Sequence, residues 1–207
     1  SIHRRLFIGI YPHAGRIRSY NITKKEWVLD GATVLYGSAT ELKDTLDYDF
    51  SEERNFSYKN LSMNEIIHHL AVFISRLWQI HVFGEGNTRT TAVFFIKYLC
   101  TLGFDVTNDI FAKNAWYFRN SLVRANFNDL KNGIHETTEF LELFLKNLLL
   151  NETHPLHNRT LHISEKFKAS KKVNIEDEKA NIESEKMNIQ NSFTAKTAAP
   201  ICKLLEE

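Results

Sequence analysis

Apolar residues recur every three or four positions in two long segments of the chain, which a short glycine-rich stretch separates. This spacing places the apolar side chains on one face of an α-helix, so the pattern predicts two consecutive helices. The apolar positions are Ile66, Ile67, Leu70, Phe73, Ile74, Leu77 and Ile80 in the first segment, and Ala92, Val93, Phe95, Ile96, Leu99 and Cys100 in the second.

The stretch between the two predicted helices reads His-Val-Phe-Gly-Glu-Gly-Asn-Thr-Arg over residues 81–89. Gly84 and Gly86 allow the backbone to turn sharply, and Asn87 or Thr88 is a suitable N-cap for the second helix. The stretch therefore leads into a helix N-terminus, where unpaired N–H groups and the positive end of the helix dipole attract anions. We expect phosphate to be the anion.

Three side chains of this stretch have the chemistry that phosphate transfer needs. His81, with an ordinary pKa of about 6.5, can accept a proton from an attacking hydroxyl near neutral pH. Glu85 offers a hard oxygen ligand for Mg²⁺, and Arg89 can bind phosphate oxygens with both arms of its guanidinium. A plain helix–helix turn with a solvated Glu85 has the same spacing, so the spacing alone leaves both interpretations open.

The stretch resembles the signature of the Fic family (Fic/Doc superfamily), and the resemblance covers about residues 1–163. In the loop, the matching residues are His81, Phe83, Glu85, Gly86, Asn87 and Arg89. Before the loop, they are Leu6, Phe7, Tyr11, Ala14, Gly15, Arg18, Asn21 and Ile22; after it, residues 117–119 and onward to Asn126 resemble a further helix of the family.

This resemblance implies a protein adenylyltransferase, an enzyme that moves AMP from ATP to a hydroxyl side chain of a target protein. It implies that His81 is the base that deprotonates the target hydroxyl and that Glu85 holds Mg²⁺ against the α- and β-phosphates. Phe83 is then an anchor in the core that fixes the loop. The resemblance further implies that the nucleotide is bound by Gly86, Asn87 and Thr88, which line the anion hole, and by Arg89, which binds the β- and γ-phosphates.

Two departures from the fullest family pattern leave alternatives open. Thr88 replaces a glycine, and Ala92 replaces a second arginine, so one charge-assisted phosphate contact worth about 1.5–3 kcal/mol is missing. One alternative is a non-catalytic module that binds a nucleotide or a partner protein. The other is a Fic-type enzyme that transfers a different phosphate-containing group, since relatives transfer UMP, phosphate or phosphocholine.

Two β-prone runs lie before the core, on either side of Asp30-Gly31, which is a strong tight-turn signal. We predict a small hairpin here. In the Fic family a hairpin at this place, called the flap, binds the target peptide by strand addition; the alternative is a purely structural bracket. The predicted flap residues are Val28, Leu29, Thr33, Val34, Leu35 and Tyr36.

Composition is typical of one domain with an appended tail. The chain has 207 residues, of which 43% are hydrophobic, and a formal net charge of +1, which gives no indication of binding to nucleic acid or to an anionic membrane. With only two cysteines, no apolar run of about 18 residues and no secretory leader, we expect a cytoplasmic protein without disulfides. Because the chain begins with Ser1 rather than Met, we expect an N-terminal piece to precede it.

Beyond about residue 164 the composition changes to Lys, Glu, Asn and Ser, with a seven-residue repeat from Lys172. The apolar positions lie two residues apart within each repeat, so they cannot form a coiled-coil seam. We expect residues 164–207 to be a polar tail, weakly helical or disordered, with regulation or partner binding as the alternative role.

Many Fic proteins are restrained by a helix that bears Ser/Thr-x-x-x-Glu followed by Gly or Asn. Thr138 and Glu142 have that spacing, but Leu143 follows them within a predicted core helix over about residues 136–150. We therefore expect restraint from a separate inhibitory protein, from the missing N-terminus, or none. The predicted fold is a compact all-α bundle with one β-hairpin over residues 1–163, and the target protein and oligomeric state stay open.

Overall fold

The computed structural model describes residues 1–164 of the chain. No helix in this range is long and apolar enough to cross a lipid bilayer. Two single 3-10 turns lie at Trp27–Leu29 and Leu130–Asn132. The α-helices of the described part are α1 (Ile2–Phe7), α2 (Leu42–Asn55), α3 (Met63–Ile80), α4 (Asn87–Thr101), α5 (Asp109–Lys113), α6 (Ala115–Arg124), α7 (Glu139–Leu149) and α8 (Asn158–Leu161).

Helix α3 is the central helix of the bundle and packs against α2, α4, α6 and α7. It begins with a capping box, in which Ser62 and Glu65 satisfy each other's backbone N–H groups. The apolar face that the sequence predicts for α3 is buried or partly buried, and α4 contributes Phe95, Ile96 and Leu99 to the same core. Cys100, which the sequence also predicts for the apolar face of α4, is exposed. The all-α class is therefore confirmed for the described residues.

Three phenylalanine rings join α5, α6 and α7 at the other side of the core. The centre of the Phe111 ring lies 5.0 Å from the ring centres of both Phe118 and Phe144, and the centres of the latter two rings lie 5.1 Å apart. Burial of one such side chain stabilises the fold by about 1.5–3 kcal/mol. Helix α7 is shorter than the core helix predicted over about residues 136–150. Its buried apolar residues are Leu141, Phe144, Leu145 and Leu148.

The hairpin predicted around Asp30-Gly31 is wrong, because the described residues contain no β-strand. Val28 and Leu29 are adjacent and both fully buried, whereas neighbouring side chains of a strand point to opposite faces. These two residues lie in the 3-10 turn. The Asp-Gly pair still reverses the chain, with φ of 53° at Asp30 and 90° at Gly31.

Residues 33–36 follow this reversal as an isolated segment that has no strand partner. Val34 and Tyr36 are buried, while Leu35 between them is 84% exposed. The segment is attached to the end of α3 instead, because the Gln79 side chain donates to the Leu35 carbonyl at 3.0 Å. In addition, the Gly37 N–H donates to the Gln79 carbonyl at 3.3 Å.

The polar tail predicted for residues 164–207 lies outside the described residues, apart from Ser164.

Candidate active site

The loop between α3 and α4 is fixed at its start by a buried arginine. His81 follows the last turn of α3 in the left-handed conformation, with φ and ψ of 53°. Arg18, 5% exposed, donates from Nε to the His81 carbonyl at 2.8 Å and from Nη2 to the Ile80 carbonyl at 3.3 Å. A guanidinium at this place satisfies carbonyls that the helix itself cannot pair and complements the negative end of its dipole.

Asn87 braces the loop from within. Its Oδ1 accepts from the Phe83 N–H at 2.9 Å, and its Nδ2 donates to the Phe83 carbonyl at 2.7 Å. Helix α4 begins at Asn87 with Gly86 as the N-cap, so the prediction of Asn87 or Thr88 as the capping residue is wrong. The side-chain amide of Asn87 therefore stabilises the turn of the loop, while the backbone N–H of Asn87 lies in the first turn of α4.

The first residues of the chain form one wall of the loop. The buried His3 ring stacks on Phe83 with centroids 3.8 Å apart. Its Nδ1 accepts from the Gly15 N–H at 2.8 Å, so Nε2 carries the proton that it donates to the Glu85 carbonyl at 2.9 Å. Burial lowers the pKa of His3, which favours this neutral form. His3 could not be predicted from the sequence, because neither apolar spacing nor the loop motif marks it.

Arg89 and Thr88 lie in the first turn of α4 and are both held by aromatic residues. Arg89 donates to the Tyr11 hydroxyl at 3.1 Å, and its guanidinium lies 4.6 Å from the centre of the Phe7 ring. Thr88 accepts a hydrogen bond from the Trp78 indole N–H at 2.9 Å. The Thr88 hydroxyl therefore ties α4 to α3.

His81 has the environment of a neutral base. Its side chain is buried, and its Nδ1 donates to the Trp78 carbonyl at 3.2 Å, because a carbonyl can only accept. The neutral ring then carries its lone pair on Nε2. Burial, followed by the positive charge of Lys24, lowers the pKa of His81 to about 3, so the imidazole is unprotonated near neutral pH.

Glu85 is the exposed carboxylate of the loop. Its two oxygens lie 3.3 and 3.4 Å from the Lys24 ammonium. No group of three or more His, Cys, Asp or Glu side chains suited to a metal occurs within residues 1–164. A single exposed carboxylate fits a Mg²⁺ ion that takes its other ligands from substrate phosphates and water.

Ala92 faces an apolar cavity of about 60 Å³ beside Arg89. The cavity lies between α1, α4, α5 and α6. Its lining residues are Leu6, Phe7, Thr88, Arg89, Ala92, Val93, Asn108, Phe111, Ala115 and Phe118.

The predicted flap residues divide into two groups. Thr33 and Leu35 are exposed, so they are accessible to a peptide. Four are buried and belong to the core: Val28, Leu29, Val34 and Tyr36.

The described site coincides with a segment that is similar to known proteins. The model of the Fic/DOC family matches residues 1–99, which include α1 to α3, the loop and most of α4. No curated protein matches the chain significantly.

Proposed function

Since the chain belongs to the Fic/DOC family through residues 1–99, whose members are typically transferases, we propose that it is a protein adenylyltransferase. It would transfer AMP from ATP to a hydroxyl side chain of another protein. The observation that carries this proposal is the neutral imidazole of His81, held by the Trp78 carbonyl at the start of a loop that leads into α4.

In the proposed reaction, Nε2 of His81 accepts the proton of the target hydroxyl. The hydroxyl oxygen forms a bond to the α-phosphorus, the bond from that phosphorus to the bridging oxygen breaks, and pyrophosphate leaves. The low pKa of His81 belongs to the nucleotide-free protein, in which burial and then the positive charge of Lys24 lower it. Phosphates bound nearby would raise this pKa, because negative charge favours the imidazolium.

The phosphates would be bound where α4 begins. Backbone N–H groups of Gly86, Asn87 and Thr88 lie at this helix start, where the helix dipole favours anions. Arg89, already held by Tyr11 and Phe7, would bind the β- and γ-phosphates with little loss of side-chain freedom. Glu85 would hold Mg²⁺, which neutralises charge on the phosphates when it is bound.

Ala92 is the observation that favours a second candidate, the transfer of another phosphate-containing group. Its methyl side chain lies beside Arg89 at the cavity, so the first two turns of α4 bring one guanidinium to the phosphates and not two. With fewer contacts to the terminal phosphate, the family chemistry would be preserved while the donor or leaving group differs. Loss of transfer altogether would leave a nucleotide-binding module.

We propose a protein substrate and a separate inhibitory protein as partners. Glu142 of the Thr138–Glu142 pair accepts from the Thr138 hydroxyl and lies 2.7 Å from His68 of α3, so it is part of the packing between α3 and α7. Restraint would then come from outside the described residues. We also propose a cytoplasmic location, consistent with the free Cys100 thiol, and no nucleic-acid partner, consistent with the near-zero net charge.

ATP labelled at the α- or at the γ-phosphate separates these candidates. A cell lysate is incubated with the protein, Mg²⁺ and either label, with the His81→Ala variant as the control. We expect protein-bound label from the α position only, and none with the variant. Protein-bound label from the γ position would indicate transfer of phosphate instead of AMP. Label from neither position would overturn the adenylyltransferase proposal.

A further inference from the structure

The His81 imidazole lies in a corner made by two aromatic rings. The Tyr36 ring centre lies 4.3 Å from the imidazole centre, with the planes at 42°. The Trp78 ring lies 5.1 Å away and nearly perpendicular to the imidazole. The hydrogen bond from Nδ1 to the Trp78 carbonyl fixes the direction of the ring, and the Tyr36 face limits its tilt.

Tyr36 is itself held by an ion pair whose carboxylate is buried. Its hydroxyl donates to Oε1 of Glu26 at 3.0 Å, and Glu26 is completely buried. Arg119 of α6 donates to the same oxygen at 2.9 Å, and its Nη1 lies 2.6 Å from the other carboxylate oxygen. A buried carboxylate is costly unless it is paired, so Arg119 is what permits Glu26 at this position.

The position of Tyr36 explains why the ion pair affects the site. Within segment 33–36, Thr33 and Leu35 are exposed whereas Tyr36 is buried, so the Tyr36 side chain points into the core. Burial, followed by the Glu26 charge, raises the pKa of Tyr36 above its ordinary range, so the phenol keeps its proton and stays a donor. Its ring has one hydrogen bond at one end and the imidazole against its face.

We propose that Tyr36 is a positioning residue for His81, and that Glu26 and Arg119 hold Tyr36 in place. This inference rests on the proposed role of His81 as the base. Glu26 lies just before the 3-10 turn, Tyr36 lies after it and Arg119 lies in α6. The orientation of the base therefore depends on contacts between these three parts of the chain. A general base acts only when its lone pair is aimed at the proton, so a tilted imidazole lowers the rate of transfer without weakening nucleotide binding.

The test compares Tyr36→Leu, Tyr36→Phe and Glu26→Gln with a matched control, Tyr58→Phe. Tyr58 is a partly buried tyrosine whose hydroxyl, like that of Tyr36, donates to a buried carboxylate, in this case Glu53 at 2.5 Å. That carboxylate is bound by His69 of α3. His69 lies twelve residues before His81, the C-cap of α3, which is about 18 Å along the helix axis. The control therefore removes an equivalent hydrogen bond far from the loop.

We expect kcat to fall about a hundredfold in Tyr36→Leu and about tenfold in Tyr36→Phe and Glu26→Gln, as for a misplaced catalytic group. KM for ATP should change less than about twofold, because the phosphate-binding residues are untouched. Tyr58→Phe should lose stability with kcat unchanged. Equal kcat in all variants, measured where each is folded, would overturn the inference, as would a rise in KM with kcat unchanged.

A readout that needs no activity separates failure of this inference from failure of the proposed function. The Hε1 resonance of His81 is assigned by its absence in His81→Ala. Glu26→Gln, which does not touch the imidazole, should shift or broaden this resonance through Tyr36, and Tyr58→Phe should leave it in place. An unshifted resonance in Glu26→Gln would overturn the positioning role, whether or not the parent protein transfers AMP.

Discussion

The Phe7 ring lies directly against the backbone of Gly86, so that a Cβ built on Gly86 would be 2.5 Å from Phe7 Cε2 and 2.6 Å from Cζ. Gly86 also has a φ of 78°, a left-handed backbone conformation that residues other than glycine rarely adopt. The N-cap of α4 and the end of α1 are therefore packed as closely as a glycine allows.

Gly86→Ala should destabilise the protein by about 2–4 kcal/mol, since it combines backbone strain with a collision against a buried ring. Urea unfolding measures the loss. Gly103→Ala is the matched control, because Gly103 has a φ of 90° and no atom within 4 Å of the added Cβ. Equal losses in the two variants would show that Phe7 moves away at no cost.

His81→Ala should abolish transfer while nucleotide binding persists, because the base acts on the hydroxyl and contributes no phosphate contact. Transfer is measured with labelled ATP at saturating nucleotide, and binding by calorimetry. Near-normal transfer by the variant would exclude His81 as the base.

Glu85→Ala should raise the Mg²⁺ concentration for half-maximal transfer by about tenfold or more, on the scale of disturbing a metal's ligand set. The measurement is a Mg²⁺ titration of transfer at fixed ATP. Glu152→Ala, which removes an exposed carboxylate beside His154, is the control and should leave the titration unchanged. An unaltered metal requirement in Glu85→Ala would assign Glu85 a surface role.

Ala92→Arg should tighten ATP more than ADP, because a second guanidinium beside Arg89 would gain a γ-phosphate contact. One charge-assisted hydrogen bond of about 1.5–3 kcal/mol sets a ten- to hundredfold upper bound on the preference. Calorimetric titration of both nucleotides measures it, with Ala92→Met as a control that fills the cavity without charge. An equal change for ATP and ADP would mean that position 92 does not face the nucleotide.

The stability of the nucleotide-free protein should fall as the pH drops below about 6.5. There the unfolded chain protonates the imidazole, while the folded protein, with the His81 pKa near 3, does not, so protons favour unfolding. His3 acts in the same direction. The free energy of unfolding, measured with urea between pH 7 and 4, should depend less steeply on pH in His81→Gln than in the parent protein. The difference in slope should be up to about 1.4 kcal/mol per pH unit. Identical slopes would mean that the folded protein protonates His81 freely.

Local patterns in the sequence predict the helical frame well. The apolar face of α3 is set by spacing alone, and Trp78 completes it as a buried residue that also binds Thr88. Phe83 is buried, as expected of an anchor. The roles assigned to individual loop residues in nucleotide binding and metal binding stay predictions.

Long-range contacts explain what the sequence could not reveal. The Asp-Gly turn signal was correct, yet a strand also needs a partner, and Val28 pairs with Ile163 from the far end of the described chain instead. Asn87 has the chemistry of a cap, but the Phe83 backbone competes for its amide. The contact of Arg119 with Glu26 spans 93 positions, and no periodicity encodes it.

The contacts between the first eleven residues and the loop determine how the loop unfolds locally. His3 holds the Glu85 carbonyl, Phe7 covers Gly86 and Tyr11 holds Arg89, so a movement of the loop away from the start of the chain breaks all three contacts. A helix of six residues is unstable alone, and α1 persists through its contacts with α4. The loop and the start of the chain therefore form one cooperative unit of local unfolding, whose opening free energy is shared between them.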